Sequence, residues 1–396
     1  MYGVVFWLTL VTYFFGCREL SKGLDKQIKS KRPIASIARG SAFDTRKEYI
    51  LVTGGTGYIG SHTVLKLIEE GYDVVVLDNL SNSVVEPLRR IERILGLKNQ
   101  IPFYEADLLN YDDINAVFKK YRVSCVIHFA ALKAVEESTR EPLRYYDNNF
   151  GGTVNLLKAM QENSVKNIVF SSSATVYEYS GKDSYTEDSK LACTNPYGRT
   201  KLFMESVIED IYNTAAGTDK QMNAVILRYF NPFGAHPSGL MGEDAGQLPN
   251  NLMPYIAQVA VGELDKVHVF GADYNTKDGT GVRDFIHIMD LARAHVYSVK
   301  KTSENCGLKV YNVGSGSGYS VLEMIEAMKE ACNCQIPFVI DGRRSGDVDK
   351  VVCDPTKAER ELGFKVEYTL KDMCRDLWRW QQANPHGYRT KAEKSN

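Results

Sequence analysis

The chain has 396 residues, 44% apolar and 24% charged, with a formal net charge of −1. That length and balance fit a large globular unit, or two, with a core that needs no cross-links. A charge this close to zero excludes the basic field that gathers nucleic acid or an anionic membrane surface, and leaves open a local basic pocket.

The chain opens on an uncharged apolar run, Tyr2 to Gly16, followed by Lys22, Lys26, Lys29, Lys31 and Arg32. A spanning helix needs about 20 apolar residues, so the run is short for one. A secretory signal carries its basic residues first, so the order is wrong for export. Two readings stand: an anchor that leaves the basic flank and the body in the cytoplasm, or an upstream stretch with no part in the fold. Residues 1–48 are therefore set apart as apolar segment and polar linker. The eight cysteines are scattered, with no zinc spacing, and read as reduced thiols; no metal site is assigned.

Regular structure is predicted from Tyr49. An apolar strand, a Gly-rich turn and an amphipathic helix run to about Gly71, and the next strand closes on Asp78 and Asn79. Apolar strands follow at Ser124–Phe129, Asn167–Ser171 and Ala224–Tyr229, with helical patterns between them at Tyr111–Tyr121 and Asn149–Asn163. Strands alternating with helices imply βαβ units and a parallel sheet covered on both faces. The regular alternation loosens after about Asn231, where prolines punctuate loops. Later, Ser320 and Glu323 form a capping-box pattern, and Asp354-Pro355 with Gly363 brackets a short helix. The expected division is 49–230 for a Rossmann-like doubly wound domain, 231–390 mainly for a smaller α/β lobe, and 391–396 for a tail.

Gly54, Gly57 and Gly60 stand three apart between strand and helix. Glycine there allows the tight turn and close approach of a pyrophosphate to the helix N-terminus. Asp78, ending the next strand, suits a ribose hydroxyl and disfavours a 2′-phosphate, so NAD is expected rather than NADP. Tyr197 and Lys201 lie four apart behind Asn195-Pro196, which start a helix, so phenol and ammonium share one face. A neighbouring cation is expected to lower the tyrosine's pKa. Ser173 ends a central strand, on the side where ligands bind in such sheets.

With TGGTGYIGSHTV (53–64), SSSATVY (171–177), NPYGRTK (195–201), RYFNPFGAHPSG (228–239) and DGTGVRDFIH (278–287), the chain resembles the extended short-chain dehydrogenase/reductase family, within it the UDP-galactose 4-epimerases. The likeness runs from about Tyr49 to Tyr388. It implies reversible C4 epimerisation of UDP-galactose and UDP-glucose with tightly held NAD. Tyr197 becomes the base, with Lys201 and Ser173 beside it. Gly54, Gly57, Tyr58, Ile59, Gly60, Asp78, Asn79, Asp107, Leu108, Phe129, Ala130, Lys133 and Tyr229 become the NAD site. Lys133, Ala174, Thr175, Asn231, Asn250, Asn251, Leu252, His268, Val269, Phe270, Arg283, Arg344, Asp347 and Val351 become the UDP-sugar site. Arginines suit that site because a guanidinium grips phosphate with two donors. A small Val351 implies room for UDP-N-acetylhexosamines. A homodimer is implied as well.

The chain departs from the family at Glu136 and Glu178, where glycine is expected, and at Ser345. A glutamate there is expected to narrow the pocket or strain the backbone. Two other functions remain open on these residues: a related 4,6-dehydratase or decarboxylase, which needs a carboxylate near Ala174–Thr175, and an idle NAD- or UDP-sugar-binding sensor.

Overall fold

The computed structural model describes residues 47–179, 184–244, 249, 251–344 and 347–389. The N-terminal apolar run, Asn250 and Ser345 lie outside the described residues. Among those described, no helix is long and apolar enough to cross a membrane.

Strands β1 (Tyr49–Thr53), β2 (Asp73–Asp78), β3 (Phe103–Glu105), β4 (Val123–His128), β5 (Asn167–Ser173) and β6 (Asn223–Tyr229) alternate with helices α1 (Tyr58–Glu69), α2 (Glu86–Leu95), α3 (Tyr111–Lys120), α4 (Val135–Arg140), α5 (Pro142–Tyr145), α6 (Gly152–Glu162) and α7 (Pro196–Thr214). A turn of π-helix over Tyr146–Gly151 joins α5 to α6. The chain continues through β7 (Asn231–Phe233), α8 (Leu252–Ala260), β8 (Val267–Phe270), β9 (Val282–His287), α9 (Ile288–Thr302), β10 (Leu308–Val313), β11 (Gly318–Ser320), α10 (Val321–Cys332), β12 (Phe338–Asp341), β13 (Lys350–Val351), α11 (Thr356–Leu362) and α12 (Leu370–Ala383).

Seven parallel strands form the main sheet, in the order β10-β6-β5-β4-β1-β2-β3. Alternate residues of each strand feed opposite cores, as the period of two requires. Ile50 and Val52 pack with α1, α2, α9 and α11. Tyr49 and Leu51 pack with α3, α6 and α7. Both faces are thus covered, and the strands read as apolar runs for that reason. The order reverses between β1 and β4, the switch point where such sheets bind ligands.

The expected limit at residue 230 needs correction. Helix α9 and strand β10 return to the main sheet, where Leu308–Val313 pairs with Ala224–Tyr229. Apolar strands seek any open edge of the right hand, and the edge beside β6 is free. The second lobe is built from the rest: β9 at the centre of a small sheet with β7, β11 and β13, and the pair β8/β12. Its core joins α8, α10 and α12 through Met253, Met328, Leu377 and Trp380.

Local signals mostly hold. Ser320 and Glu323 form the capping box, and Gly363 takes the left-handed conformation. Asp354 still accepts from Thr356 N at 3.0 Å, although the helix begins one residue late. The cysteines differ from expectation in one place: Cys332 and Cys334 close a disulfide at the end of α10, where a left-handed Asn333 turns the chain back.

Candidate active site

Strand β1 delivers the chain to a turn that only glycine can make. Gly54 has φ +69, and a Cβ there would lie 2.6 Å from the Ala130 backbone nitrogen. A Cβ on Gly60 would meet the Gly54 carbonyl oxygen at 2.2 Å. Gly57 is different: its Cβ position meets one atom, the Gly54 oxygen at 3.3 Å, and otherwise open space. The turn is therefore a cradle at the N-terminus of α1, shaped for a phosphate group. Asp78 is buried beside it and accepts from Thr56 N (3.2 Å), Leu80 N (3.0 Å) and Ser83 Oγ (3.0 Å). Asn79 donates to Asp107 at 3.0 Å across the same wall.

These residues line one cleft of ≈ 1340 Å³, partly open to solvent. Gly54, Gly57, Tyr58, Ile59, Gly60, Asp78, Asn79, Asp107, Leu108, Phe129, Ala130, Lys133, Tyr197, Lys201 and Tyr229 are all on its wall. Sequence reasoning misses Asn148, Ser171, Glu243, Asp244 and Tyr388, which also line it. Tyr388 arrives from far along the chain and carries no local signal. Lys133, expected at both the NAD site and the UDP-sugar site, pairs with Glu243 at 2.8 Å.

The catalytic candidates meet at the C-terminal edge of β5. Asn195 caps α7 by accepting from Gly198 N at 2.8 Å, and Pro196 sits in the first turn. A Cβ on Gly198 would lie 2.6 Å from the Thr175 carbonyl oxygen, so the helix start is pressed against the turn after Ser173. The Ser173 hydroxyl accepts from Thr175 Oγ1 at 2.9 Å and Thr175 N at 3.2 Å. Lys201 donates to the Ser171 carbonyl at 2.7 Å, and its amine lies 6.0 Å from the centre of the Tyr197 ring. Burial pushes the Lys201 amine down to about 7, opposed by the Glu205 carboxylate.

Tyr197 departs from expectation. Burial pushes its phenol up to about 12, with the Ser173 hydroxyl pulling the other way. In this state Lys201 spends its bond on a backbone carbonyl, and desolvation of the phenolate dominates.

A second cleft, ≈ 990 Å³, brings together Asn231, Asn251, Leu252, His268, Phe270, Arg283, Arg344 and Asp347, with Phe233, Tyr274 and Phe285, which the sequence did not single out. Arg283 and Arg344 converge on Asp347, at 3.4 and 3.1 Å. Arg344 also lies over the Phe270 ring, 4.7 Å from its centre. Tyr229 opens on the first cleft and Asn231 on the second.

Other assignments change. Val269 turns into the core of the second lobe, because β8 alternates and only His268 and Phe270 reach the cleft. Val351 is buried with Ala174, Val176 and Phe230, and lines neither cleft; the same cluster holds Ala174. Thr175 donates to Ser173, and neither of the two is on either wall. Glu136 is exposed in the first turn of α4, and Glu178 pairs with Lys190 at 3.0 Å. Neither has a positive φ and neither lines a cleft, so the expected strain and narrowing are absent.

Residues 51–377 match a family model described as GDP-mannose 4,6 dehydratase. A UDP-glucose 4-epimerase of Bacillus subtilis is 52% identical over 341 residues, 86% of this chain and 99% of that protein. The Homo sapiens UDP-glucose 4-epimerase is 50% identical over 355 residues, covering 87% and 99%. Among solved structures, the UDP-glucose 4-epimerase of Bifidobacterium longum in complex with NAD+ and UDP aligns with TM-score 0.80 and 47% identity, over 86% of this chain and 99% of that one. That of Stenotrophomonas maltophila, with bound NAD and formylated UDP-arabinopyranose, aligns with TM-score 0.82 and 45% identity, over 85% and 98%. With relatives 52% and 50% identical and matched along 99% of their own length, the chain belongs to the UDP-glucose 4-epimerase family.

Proposed function

We propose that the protein interconverts UDP-galactose and UDP-glucose by inverting C4 through a 4-keto sugar, with NAD held in the first cleft. The carrying observation is that Tyr197, with the Ser173 hydroxyl bonded to it, and Lys201 line the cleft of the glycine cradle, while Tyr229 on that wall leads two residues on to Asn231 in the two-arginine cleft. The cradle, the buried Asp78 carboxylate and the Asn79–Asp107 wall fit a dinucleotide with a free ribose 2′-hydroxyl. When bound, NAD supplies the hydride acceptor and donor, and adds positive charge near Tyr197.

The roles follow from position. Tyr197 takes the C4 hydroxyl proton and returns it. Lys201, as an ammonium, opposes the cost of a buried phenolate. Ser173 steadies the shared proton. Arg283 and Arg344 anchor the diphosphate, each still offering donors after its bond to Asp347. UDP is then gripped while the sugar stays loosely held, free to present its other face. Glu178, the carboxylate nearest the place where a 4,6-dehydratase needs one, is tied to Lys190. A sensor would have no use for a buried phenol and amine.

The test uses protein starting near residue 44, UDP-galactose and no added NAD. Appearance of UDP-glucose supports an epimerase with retained cofactor. Product only after NAD is added keeps the chemistry and removes tight retention. No product from folded protein in either case rejects the reading.

The proposed assembly is a homodimer. Leu143 on α5 is 77% exposed, and Phe203 on α7 stacks on Tyr146 beside it while remaining exposed. Such an apolar patch asks for cover. A Leu143→Glu/Phe203→Glu variant should elute as a monomer in light-scattering chromatography where the parent is a dimer. The proposed compartment is the cytoplasm.

A further inference from the structure

One turn beyond Lys201, helix α7 buries a second charge. Glu205 follows Lys201 by four residues on the same face and is 5% exposed. A carboxylate so far from water is costly unless paired. Arg228 on β6 meets it, Nη2 to Oε2 at 2.6 Å and Nε to Oε1 at 3.1 Å. Ser172 on β5 donates its hydroxyl to Oε1. Arg228 also donates to Tyr177 Oη at 3.1 Å, and Tyr177 donates to Asn312 Oδ1 on β10 at 2.6 Å. The network touches each strand one residue from the site: Ser172 precedes Ser173, and Arg228 precedes Tyr229.

A buried ion pair is weak support for stability, since packed apolar residues often do as well. This one has a direction that stability does not need. The carboxylate stands one helical turn from Lys201 and favours its charged form against burial. The other groups around the Lys201 amine offer no anion. The Phe170 ring lies 5.2 Å away on β5, the Ser171 carbonyl accepts its bond, and Tyr197 is one turn back. His128 at the end of β4 is uncharged, its two nitrogens engaged by Thr53 and Thr153, and burial holds it down to about 3. Tyr229 on β6 shares its hydroxyl with His295.

We propose that Glu205 is a positioning residue for the reaction: the buried anion, oriented by Arg228 and Ser172, that keeps Lys201 an ammonium beside Tyr197. This rests on the reading of Tyr197 and Lys201 given above. The pair Tyr197/Lys201, once it has lost one proton, has two forms. Phenolate with ammonium is the working form. Phenol with neutral amine is idle. Glu205 favours the first because it lies nearer the lysine than the tyrosine. Without it the idle form gains, and the pair gives up its proton at lower pH.

The experiment compares wild type with Glu205→Gln and with Glu205→Gln/Arg228→Gln, the second leaving no unpaired buried charge should the single variant fold poorly. Two readouts are taken: the pH profile of kcat with UDP-galactose, and the titration of Lys201 by NMR of labelled lysine side chains. The expected result is a kcat lower by about tenfold, an unchanged KM, an acid limb and a Lys201 midpoint both moved to lower pH, and return of both in Glu205→Asp. A folded double variant whose acid limb and Lys201 midpoint stay in place overturns the proposal. Wild-type protein without turnover would overturn the reading of Tyr197 and Lys201, while the NMR titration still decides whether Glu205 governs the lysine's charge.

Discussion

Tyr197 is the position where local sequence says most and burial changes most. Its spacing from Lys201 and the Asn195-Pro196 start are readable in the chain, and the structure keeps them: Asn195 caps the helix and both side chains reach one cleft. The expected fall in its pKa is not kept, because that quantity depends on water excluded by β5, β6 and the turn after Ser173, none of which a four-residue spacing reports. Burial sends the phenol up to about 12 and Lys201 down to about 7. The shape of the side chain is therefore less important than its proton, and Tyr197→Phe isolates the proton. General acid–base help is worth about 10²–10⁴-fold, so kcat should fall by that factor with KM for UDP-galactose little changed. A KM that rises in step with the loss would mean that Tyr197 binds the sugar rather than moving its proton. Val269 and Val351 fail as cleft residues for a related reason: a motif gives the neighbourhood, and the phase of the strand gives the side that each residue faces.

At the scale of elements, the first half of the fold is legible because β1, β2, β4, β5 and β6 are largely apolar runs and the crossovers are helices, whereas the short β3, Phe103–Glu105, ends on an exposed glutamate and escapes the pattern. Strand β10 carries Lys309 and Asn312 among its apolar residues, and nothing in Leu308–Val313 says that it returns to the edge beside β6 rather than staying in the second lobe. That choice is made by α9, whose Leu291 and Ala294 join the core of α1. The glycine turn is the element where spacing and geometry agree fully, and it separates two jobs that the pattern merges. Gly60 serves packing: its Cβ would strike the Gly54 oxygen at 2.2 Å. Gly57 serves the ligand: its Cβ would project into open space at the cradle. Gly60→Ala should cost about 1–3 kcal/mol by overpacking, read as a lower melting temperature. With cofactor stripped from both, Gly57→Ala should melt like the parent, whereas the protein as purified should release far less nucleotide when denatured. Equal nucleotide content in Gly57→Ala and parent would remove the phosphate-cradle role.

The whole molecule stores its sensitivity to acid in buried histidines. His62 and His128 are pushed down to about 3 and His295 to about 4 from 6.5, each chiefly by burial. The unfolded chain binds protons at these rings below about 6.5, and the folded chain refuses them until about 3 to 4. Stability is therefore whole above 6.5 and drains as pH falls. At about pH 5 each histidine subtracts about 2 kcal/mol. Asp284 works the other way. It accepts from Ser315, Gly316 and Cys353, yet burial holds it up at about 6 from 3.8. The folded state then takes that proton first, so the contribution of Asp284 grows as pH falls through 6 and offsets about 1 kcal/mol at about pH 5. The histidines win, and the net loss of about 5 kcal/mol is a large share of the 5–15 kcal/mol that typically holds a domain. Urea midpoints should drop steeply between pH 7.5 and 5. His62→Gln, which keeps a donor for the Tyr58 carbonyl that His62 Nδ1 meets at 2.7 Å, should flatten that drop by about 2 kcal/mol. If the variant and the parent lose stability in parallel, His62 is not among the rings that carry the acid response.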